Sequence, residues 1–312
     1  MSVGQPVDDV PDAVGGASLA RSAVQRRRFW NPAIVGGAAV LVFMLAISLA
    51  APWLGTMDPK AINPAVRNKL PGFSESVRAA DGRTSEAVHR MGTDSLGRDI
   101  YSRVLYGARA SLLVGSSVAI ISIGVGLVLG LLAGYVRWLD AVVMRFMDAL
   151  MAIPAILLAI ALVSLSSAGL GAVIVAIVIP EIPRVVRLVR SIVLSVREEP
   201  FVEAAIAAGT RTLPLIARHI MPSTLAPLIV QATYVAASAM LIEAILSFLG
   251  VGIPPETPTW GNIMAEGRAL FRVFPHNILF PGTFLALTVL AVNMLGDGLR
   301  DALDPRFVER TA

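Results

Sequence analysis

The sequence predicts an all-α integral membrane protein that crosses the bilayer six times. Apolar residues fill 55% of the 312 positions and charged residues only 15%. A soluble domain of this length could not bury that much apolar surface in one core. Several apolar runs reach the roughly 20 residues that a helix needs to cross a bilayer core of about 30 Å. Helices are favoured because a crossing segment must satisfy its own backbone hydrogen bonds.

The first crossing follows a loosely ordered tail. We expect residues 1–32 to be cytoplasmic and to stop at the membrane surface with the basic run Arg26, Arg27 and Arg28. The apolar run 33–54 is longer than a signal-peptide core and no small-residue cleavage site follows it. It is therefore predicted to be the first transmembrane helix.

Residues 55–108 are polar, with charges of both signs and with Pro59, Pro64 and Pro71. No periodic apolar face runs through this segment, so we predict an external loop that faces water.

Five further spans are predicted within residues 109–300. Their approximate limits are 112–136, 142–165, 169–189, 223–248 and 278–299. Six crossings place both termini on one side of the membrane. Lys and Arg residues in the N-terminal tail, between spans four and five and in the C-terminal tail 301–312 make that side cytoplasmic. The predicted external loop carries eight Lys and Arg residues and so departs from the positive-inside rule. We attribute this exception to the length of the loop, because long loops cross the membrane largely regardless of their charge.

The composition also limits the chemistry. A net charge of +4 could suggest a nucleic-acid partner, but the arginines lie at the ends of apolar runs, as lipid headgroups require, and not in one basic block. The chain has no cysteine, and its three histidines lie in separate segments, so we expect no metal site and no catalytic site. The only two lysines, Lys60 and Lys69, follow Pro and Asn, so this chain encodes no phosphate-binding loop.

Residues 203–222, EAAIAAGTRTLPLIARHIMP, form the most informative segment. The alanines around Gly209 predict a short helix, a break, and a second short helix that begins near Pro214 and ends before Pro222. Small side chains would let the backbone of another protein approach closely. The pattern favours a docking element on the inner side of the membrane.

This segment resembles the EAA loop of ABC-importer permeases. The matching residues are Glu203, Ala204, Ala205, Gly209, Ile220 and Pro222, with Met221 where the family usually has Leu. The stretches 92–112, 247–264 and 295–306 resemble the dipeptide/oligopeptide/nickel branch of that family, in its C-type permease half. The motif residues of the first stretch are Gly92, Thr93, Asp94, Gly97, Arg98, Asp99, Arg103, Gly107, Arg109 and Ser111, and the last stretch adds Asp297 and Arg300.

The resemblance implies the type I ABC importer permease fold and a transport subunit that is not itself an enzyme. A homologous second permease would complete a heterodimer in the bacterial cytoplasmic membrane, two separate ATPase subunits would bind ATP and Mg²⁺, and an external binding protein would deliver the substrate. The 203–222 loop would transmit ATPase movement to the spans, which would alternate access for di- or oligopeptides. The same machinery could instead import nickel chelates, glutathione or another small solute.

Four ionisable residues inside the predicted spans are candidates for function, because charge is expensive in a membrane. Asp148 and Asp297 each have an arginine three residues away, which predicts an ion pair within each helix. Glu181 lies between two prolines, and Glu243 has no evident partner within its own helix. Glu243 either lines the pathway or contacts a partner subunit. If Glu181 and Glu243 are protonation sites, the chain is instead an ion-coupled secondary transporter.

Two further patterns concern packing. The stretch 247–264 predicts a short external helix at the interface, on which Trp260 serves as a gate, as a contact for a binding protein, or only as an aromatic anchor. Gly126, Gly130 and Gly134 recur every four residues in the second span. They predict a flat face against which another helix packs closely.

Overall fold

The computed structural model describes residues 31–78, 84–166 and 169–303, and most of these residues are helical. Apart from residues 31–32 and 301–303, the predicted tails 1–32 and 301–312 lie outside the described residues. The α-helices are α1 (Pro32–Ala50), α2 (Ile100–Tyr135), α3 (Arg137–Met151), α4 (Ala155–Ser164), α5 (Leu170–Val196), α6 (Pro200–Ala207), α7 (Thr212–Leu215), α8 (Met221–Phe248), α9 (Trp260–Gly267) and α10 (His276–Leu303). Strands β1 (Phe73–Arg78) and β2 (Thr84–His89) form one antiparallel hairpin.

Four of the described helices are long and apolar enough to cross a membrane: α1, α2, α8 with the turns before it, and α10. The bent pair α3–α4 makes a fifth if it counts as one span. Helix α5 is not among them, and it carries Glu181, Arg184, Arg187 and Arg190 in its sequence. The predicted count of six spans is therefore not confirmed by length and composition.

The segment predicted as a loop over residues 55–108 contains regular secondary structure. Its hairpin pairs Phe73 with His89. Helix α2 begins at Ile100 and not near residue 112, because the Asp99 carboxylate caps it by accepting a hydrogen bond from Ser102 N at 2.8 Å. The 36 residues of α2 extend over roughly 54 Å at about 1.5 Å per residue. The helix is thus longer than a bilayer core of about 30 Å.

The predicted glycine face of α2 is confirmed. Gly126, Gly130 and Gly134 are buried against Val185, Val189 and Val193 of α5. A Cβ atom built at Gly130 or Gly134 would lie 2.6 Å from the Cβ of the facing valine, which is closer than real Cβ atoms approach. The absence of side chains therefore lets these two helices pack closely.

Helices α3 and α4 meet at an angle of 87°, so the segment predicted as a span over residues 142–165 is not one straight helix. Pro154 lies at the break in an extended conformation, with ψ 129°. Proline has no N–H to donate, and its ring collides with the preceding helical turn, so it ends α3.

Two ion pairs join α3 to α5. Arg187 Nη2 lies 2.7 Å from Asp148 Oδ1, and Arg190 Nη2 lies 2.7 Å from Asp140 Oδ2. The predicted pairing of Asp148 with Arg145 in its own helix is therefore wrong. The guanidinium group of the neighbouring helix lies closer, which spacing along one helix cannot reveal.

The apolar core has two parts. The larger part lies between α2, α5 and α8 and includes Val118, Ile177, Val185 and Leu246. The smaller part lies where α9 packs on α2, α8 and α10 around Trp260. Helix α8 therefore connects this part of the core with the 203–222 loop.

Candidate functional site

Residues 200–220, between α5 and α8, form the segment that we call the docking loop. Its first helix, α6, ends with Gly209 in the left-handed region at φ +80°. Gly209 N donates to Ile206 O at 2.9 Å, and Thr210 N donates to Ala205 O at 3.1 Å. This pair of bonds is the usual helix end that requires a left-handed residue, which glycine supplies without steric cost. The predicted break at Gly209 is confirmed.

The second half of the docking loop differs from the prediction. Helix α7 begins at Thr212, and a π-helical turn over Ile216–Ile220 leads directly into α8. The predicted end of the helix before Pro222 is therefore wrong, because Pro222 lies in the first turn of α8. Proline is tolerated there because the first N–H groups of a helix have no partner within it.

The docking loop is buried on one side and exposed on the other. Val202, Leu215 and Ile220 are fully buried and fix the loop to the helical core. Large apolar side chains nevertheless face outward: Phe201 and Ile206 are exposed, and Leu213 is 77% exposed. Where exposed apolar side chains form one contiguous patch with a polar rim, they mark a site of association.

The residues that match the EAA pattern divide between these two sides. Ala205 is partly exposed, and Ile220 belongs to the buried side. The others are exposed: Glu203, Ala204, Gly209 and Pro222. The first half of the motif is therefore accessible to a partner, whereas Ile220 is buried and packs in the core beneath the docking loop.

A cavity of about 620 Å³ lies beside the N-terminal half of α8. Pro222, Val230 and Tyr234 of α8 line it together with Leu188 of α5 and Arg300 of α10. The Tyr234 hydroxyl also donates a hydrogen bond to Asp297. The predicted pair of Asp297 with Arg300 is therefore wrong, since no ion pair joins these two described residues.

The two buried glutamates have defined partners. Glu181 accepts a hydrogen bond from Ser238 Oγ of α8 at 3.0 Å and lies 3.4 Å from Arg184 Nη1. Glu243 accepts one from Ser247 Oγ at 2.8 Å, within its own helix, so the expectation that it has no partner there is wrong. Neither residue lines the 620 Å³ cavity.

Trp260 is enclosed by protein and has no exposed surface. Its Nε1 donates to Val104 O at 3.1 Å, and its ring lies against Phe284, with the centroids 6.4 Å apart. The alternative of an aromatic anchor at the membrane interface is therefore wrong. The side chain instead fastens α9 to α2.

Four charged side chains form a network that we call the outer polar cluster: Asp94, Arg98, Arg103 and Glu266. Arg98 Nε lies 2.7 Å from Asp94 Oδ2, Arg98 Nη2 donates to Glu266, and Arg103 Nη2 lies 3.2 Å from Glu266 Oε2. Burial disfavours the charged form of Arg98, but Glu266 and Asp94 outweigh it and raise the pKa of the guanidinium above its ordinary value. Sequence reasoning missed Glu266, since no motif marks it.

Other motif residues of the 92–112 stretch have structural roles. Asp99 accepts from Ser102 and lies 2.9 Å from His89 Nδ1. Gly97, at φ +78°, lies so close to the Asn63 carbonyl that no side chain would fit, and Gly92 lies against the Lys69 carbonyl. Arg109 Nε donates to Ser48 O at 2.6 Å and so joins α2 to the end of α1.

The comparisons with known proteins bear on sequence and fold separately. Residues 126–309 match the family described as "binding-protein-dependent transport system inner membrane component". The chain is 47% identical over 298 residues to a probable peptide ABC transporter permease protein, y4tQ, of Sinorhizobium fredii, covering 96% of this chain and 97% of that protein. It is 43% identical to the dipeptide transport system permease protein DppC of Alkalihalophilus pseudofirmus, covering 92% of this chain and 90% of that protein.

A solved structure shares the fold. One chain of an inward-facing conformation of the MetNI methionine ABC transporter superposes with a TM-score of 0.53 at 19% identity, covering 68% of this chain and 98% of that chain. This likeness shows a shared fold.

Proposed function

This chain belongs to the family of binding-protein-dependent transport system inner membrane components, and we propose that it is a permease subunit of an ATP-driven importer of di- and oligopeptides. The observation that carries the proposal is the docking loop, whose apolar and small residues are exposed on one side while three buried side chains fix the other side to the helical core. Such a rigid, exposed element is suited to receive movement from another subunit.

We propose six crossings, formed by α1, α2, the α3–α4 pair, α5, α8 and α10. Helix α5 is included because Asp148 and Asp140 neutralise Arg187 and Arg190, and Ser238 hydrogen-bonds Glu181. Paired charges that face other helices are those that a membrane span can carry. In this arrangement both termini and the docking loop are on the cytoplasmic side of a bacterial inner membrane.

The proposed assembly contains a homologous second permease, two ATPase subunits that bind ATP and Mg²⁺, and an external substrate-binding protein. ATP binding would close the ATPase subunits, and the docking loop would pass that movement through Ile220 and Leu215 into α8. The spans would then alternate access to the substrate. No bond in the substrate would be broken, so the chain acts through position and not through catalysis.

A peptide is the proposed substrate because the names of the two relatives include peptide and dipeptide transport. The test is purification of the tagged chain from membranes in mild detergent, followed by reconstitution with the co-purifying subunits and an external binding protein. We expect ATP-dependent uptake of a labelled dipeptide. Nickel chelates and glutathione are added as competitors, and strong inhibition of dipeptide uptake by either one would indicate that the complex imports that solute instead.

The docking role has its own test. Gly209→Pro removes the N–H that donates to Ile206 and imposes a negative φ, so the ATPase subunits should be lost while membrane insertion is kept. Normal uptake by this variant would refute the coupling assignment.

A separate experiment tests the alternative of an ion-coupled transporter. If uptake stops when the proton gradient is collapsed at constant ATP, the chain is an ion-coupled transporter.

A further inference from the structure

Helix α9 is held at both of its ends. At its C-terminal end, Glu266 contacts Arg98 and Arg103 of the outer polar cluster. At its N-terminal end, Thr259 caps the helix by accepting from Asn262 N at 3.1 Å, and Asn262 Oδ1 accepts from Thr259 N at 3.0 Å. This reciprocal arrangement satisfies the first free N–H groups of the helix.

The Thr259 hydroxyl has one hydrogen, and it donates that hydrogen to Glu243 Oε1 at 2.9 Å. Ser247 Oγ donates its own hydrogen to the same oxygen at 2.8 Å. The chain of bonds therefore runs from the α9 backbone through Thr259 to a carboxyl group on α8. One oxygen of Glu243 therefore accepts both hydroxyl hydrogen bonds at the junction between the two helices.

The surroundings of Glu243 show which property of the carboxyl group is used. Its side chain is 1% exposed, and its Oε2 is buried and accepts no hydrogen bond within the described ranges. No Lys, Arg or His side chain in those ranges forms an ion pair with it. A buried carboxylate is costly unless a cation compensates it, whereas a hydrogen-bond acceptor is effective without charge.

We propose that Glu243 is a positioning residue that seats the first turn of α9 on α8, and that the transporter uses its hydrogen bonding and not its charge. Helix α9 is then a fixed part of the outer wall. The packing agrees with this, because Gly261 of α9 lies directly on Ala244 of α8, and Trp260 N donates to Ser111 Oγ of α2 at 3.3 Å. The role in transport rests on the proposed function, but the seating of α9 does not.

The experiment uses the full complex and a spin label on α9, which is practical because the chain has no cysteine. The label is attached at Ala265→Cys, which is partly exposed, and Glu243→Gln is compared with Glu243→Leu. Gln keeps an acceptor oxygen, so label mobility should match that of the parent and uptake should stay within twofold. Leu leaves two buried hydroxyl donors without an acceptor, so label mobility should rise and uptake should fall at least fivefold.

Thr259→Val provides an independent check, since it removes the same bond from the other side. Its effect should have the same direction as that of Glu243→Leu, and the double variant should be less damaging than the sum of the two single ones, because the bond between Thr259 and Glu243 is lost in both. Loss of uptake in Glu243→Gln with an unchanged label would overturn the proposal in favour of a charged or proton-carrying role. Parent-like behaviour of Glu243→Leu would overturn it as well. A parent complex without ATP-dependent uptake would instead refute the proposed function, while the label mobilities would still test the seating of α9.

Discussion

At the scale of single residues, the outer polar cluster is consistent with our proposal that Arg98 and Arg103 lie on the external side. Both side chains are buried and compensated by Asp94 and Glu266, so they do not act as free positive charges in the loop. The positive-inside rule concerns Lys and Arg residues near the ends of spans, because these charges either cross the membrane or remain on the cytoplasmic side during insertion. Buried ion pairs of the folded state therefore account for two of the eight Lys and Arg residues by which the 55–108 loop departs from the positive-inside rule.

The first prediction concerns Arg103, which is 1% exposed. Arg103→Gln removes the buried guanidinium that lies 3.2 Å from Glu266 Oε2, while Arg98 still contacts Glu266, and should destabilise the protein by about 1.5 to 3 kcal/mol, because hydrogen bonds to charged groups contribute about that much. Arg90→Gln is the control, since Arg90 is exposed and lies over the Tyr101 ring, 5.1 Å from its centroid. Its loss should cost about 1 kcal/mol or less. Thermal unfolding followed by size-exclusion chromatography measures both, and equal stability of the two variants would contradict the assigned role.

At the scale of elements, the contact between α2 and α5 depends on the absence of side chains at every fourth residue. The valines of α5 fill the space that the three glycines leave. Close backbone approach of this kind is a main source of helix association in membranes, where lipid is as apolar as the side chains.

The second prediction tests this contact. Gly130→Val places atoms inside the van der Waals radius of Val189 and should destabilise the fold by about 1 to 3 kcal/mol, as overpacking does elsewhere. Gly124→Val is the matched control on the same helix, because nothing lies within 4 Å of a Cβ built at Gly124. The yield of folded protein from membranes should fall only for Gly130→Val. An equal fall for both variants would mean that valine disturbs the helix itself and not its packing.

The third prediction separates the two sides of the docking loop. Leu213 is 77% exposed and Leu215 is 1% exposed, although they are two residues apart. Leu213→Ala should leave thermal stability unchanged and weaken retention of the ATPase subunits, because it trims only the exposed surface. Leu215→Ala should cost about 2 to 5 kcal/mol of stability, because it opens a cavity under the loop. Full ATPase retention by Leu213→Ala would exclude that side chain from the contact.

At the scale of the whole molecule, composition and apolar run length were sufficient to predict a helical membrane protein, and glycine spacing was sufficient to predict one helix contact. The partners of charged side chains were not predictable. Asp148 pairs with Arg187, which lies on a helix whose position depends on the complete fold. Glu266 and Arg98 are separated by 168 residues, so spacing along the chain carries no information about their contact.

Some missed features had a signal in the sequence. Pro154 lies inside an apolar run and could have indicated the break between α3 and α4. Asp99 before an apolar segment is a typical helix cap and could have indicated the early start of α2. The docking loop was predicted in outline, but the continuity of its last turn with α8 was not, because proline is compatible both with the end of one helix and with the start of another.

The fourth prediction concerns orientation. Cysteine introduced at Ile62, which is exposed near the hairpin, should react with a membrane-impermeant maleimide in intact spheroplasts. Cysteine introduced at Ala207 in the docking loop, which is also exposed, should react only after the membrane is permeabilised. Because the parent chain has no cysteine, it supplies the unlabelled control. The reverse pattern would invert the proposed topology.

The unbroken length of α2 has a mechanical consequence. A rigid rod of roughly 54 Å acts as a lever, and a tilt of about 10° about one end displaces the other end by about 9 Å. The N-terminal end of α2 lies at the polar cluster and the seat of α9, and its C-terminal end continues through Val136 into α3. A small rotation at one end of α2 would therefore displace the other end by several ångströms, without any hinge within the helix.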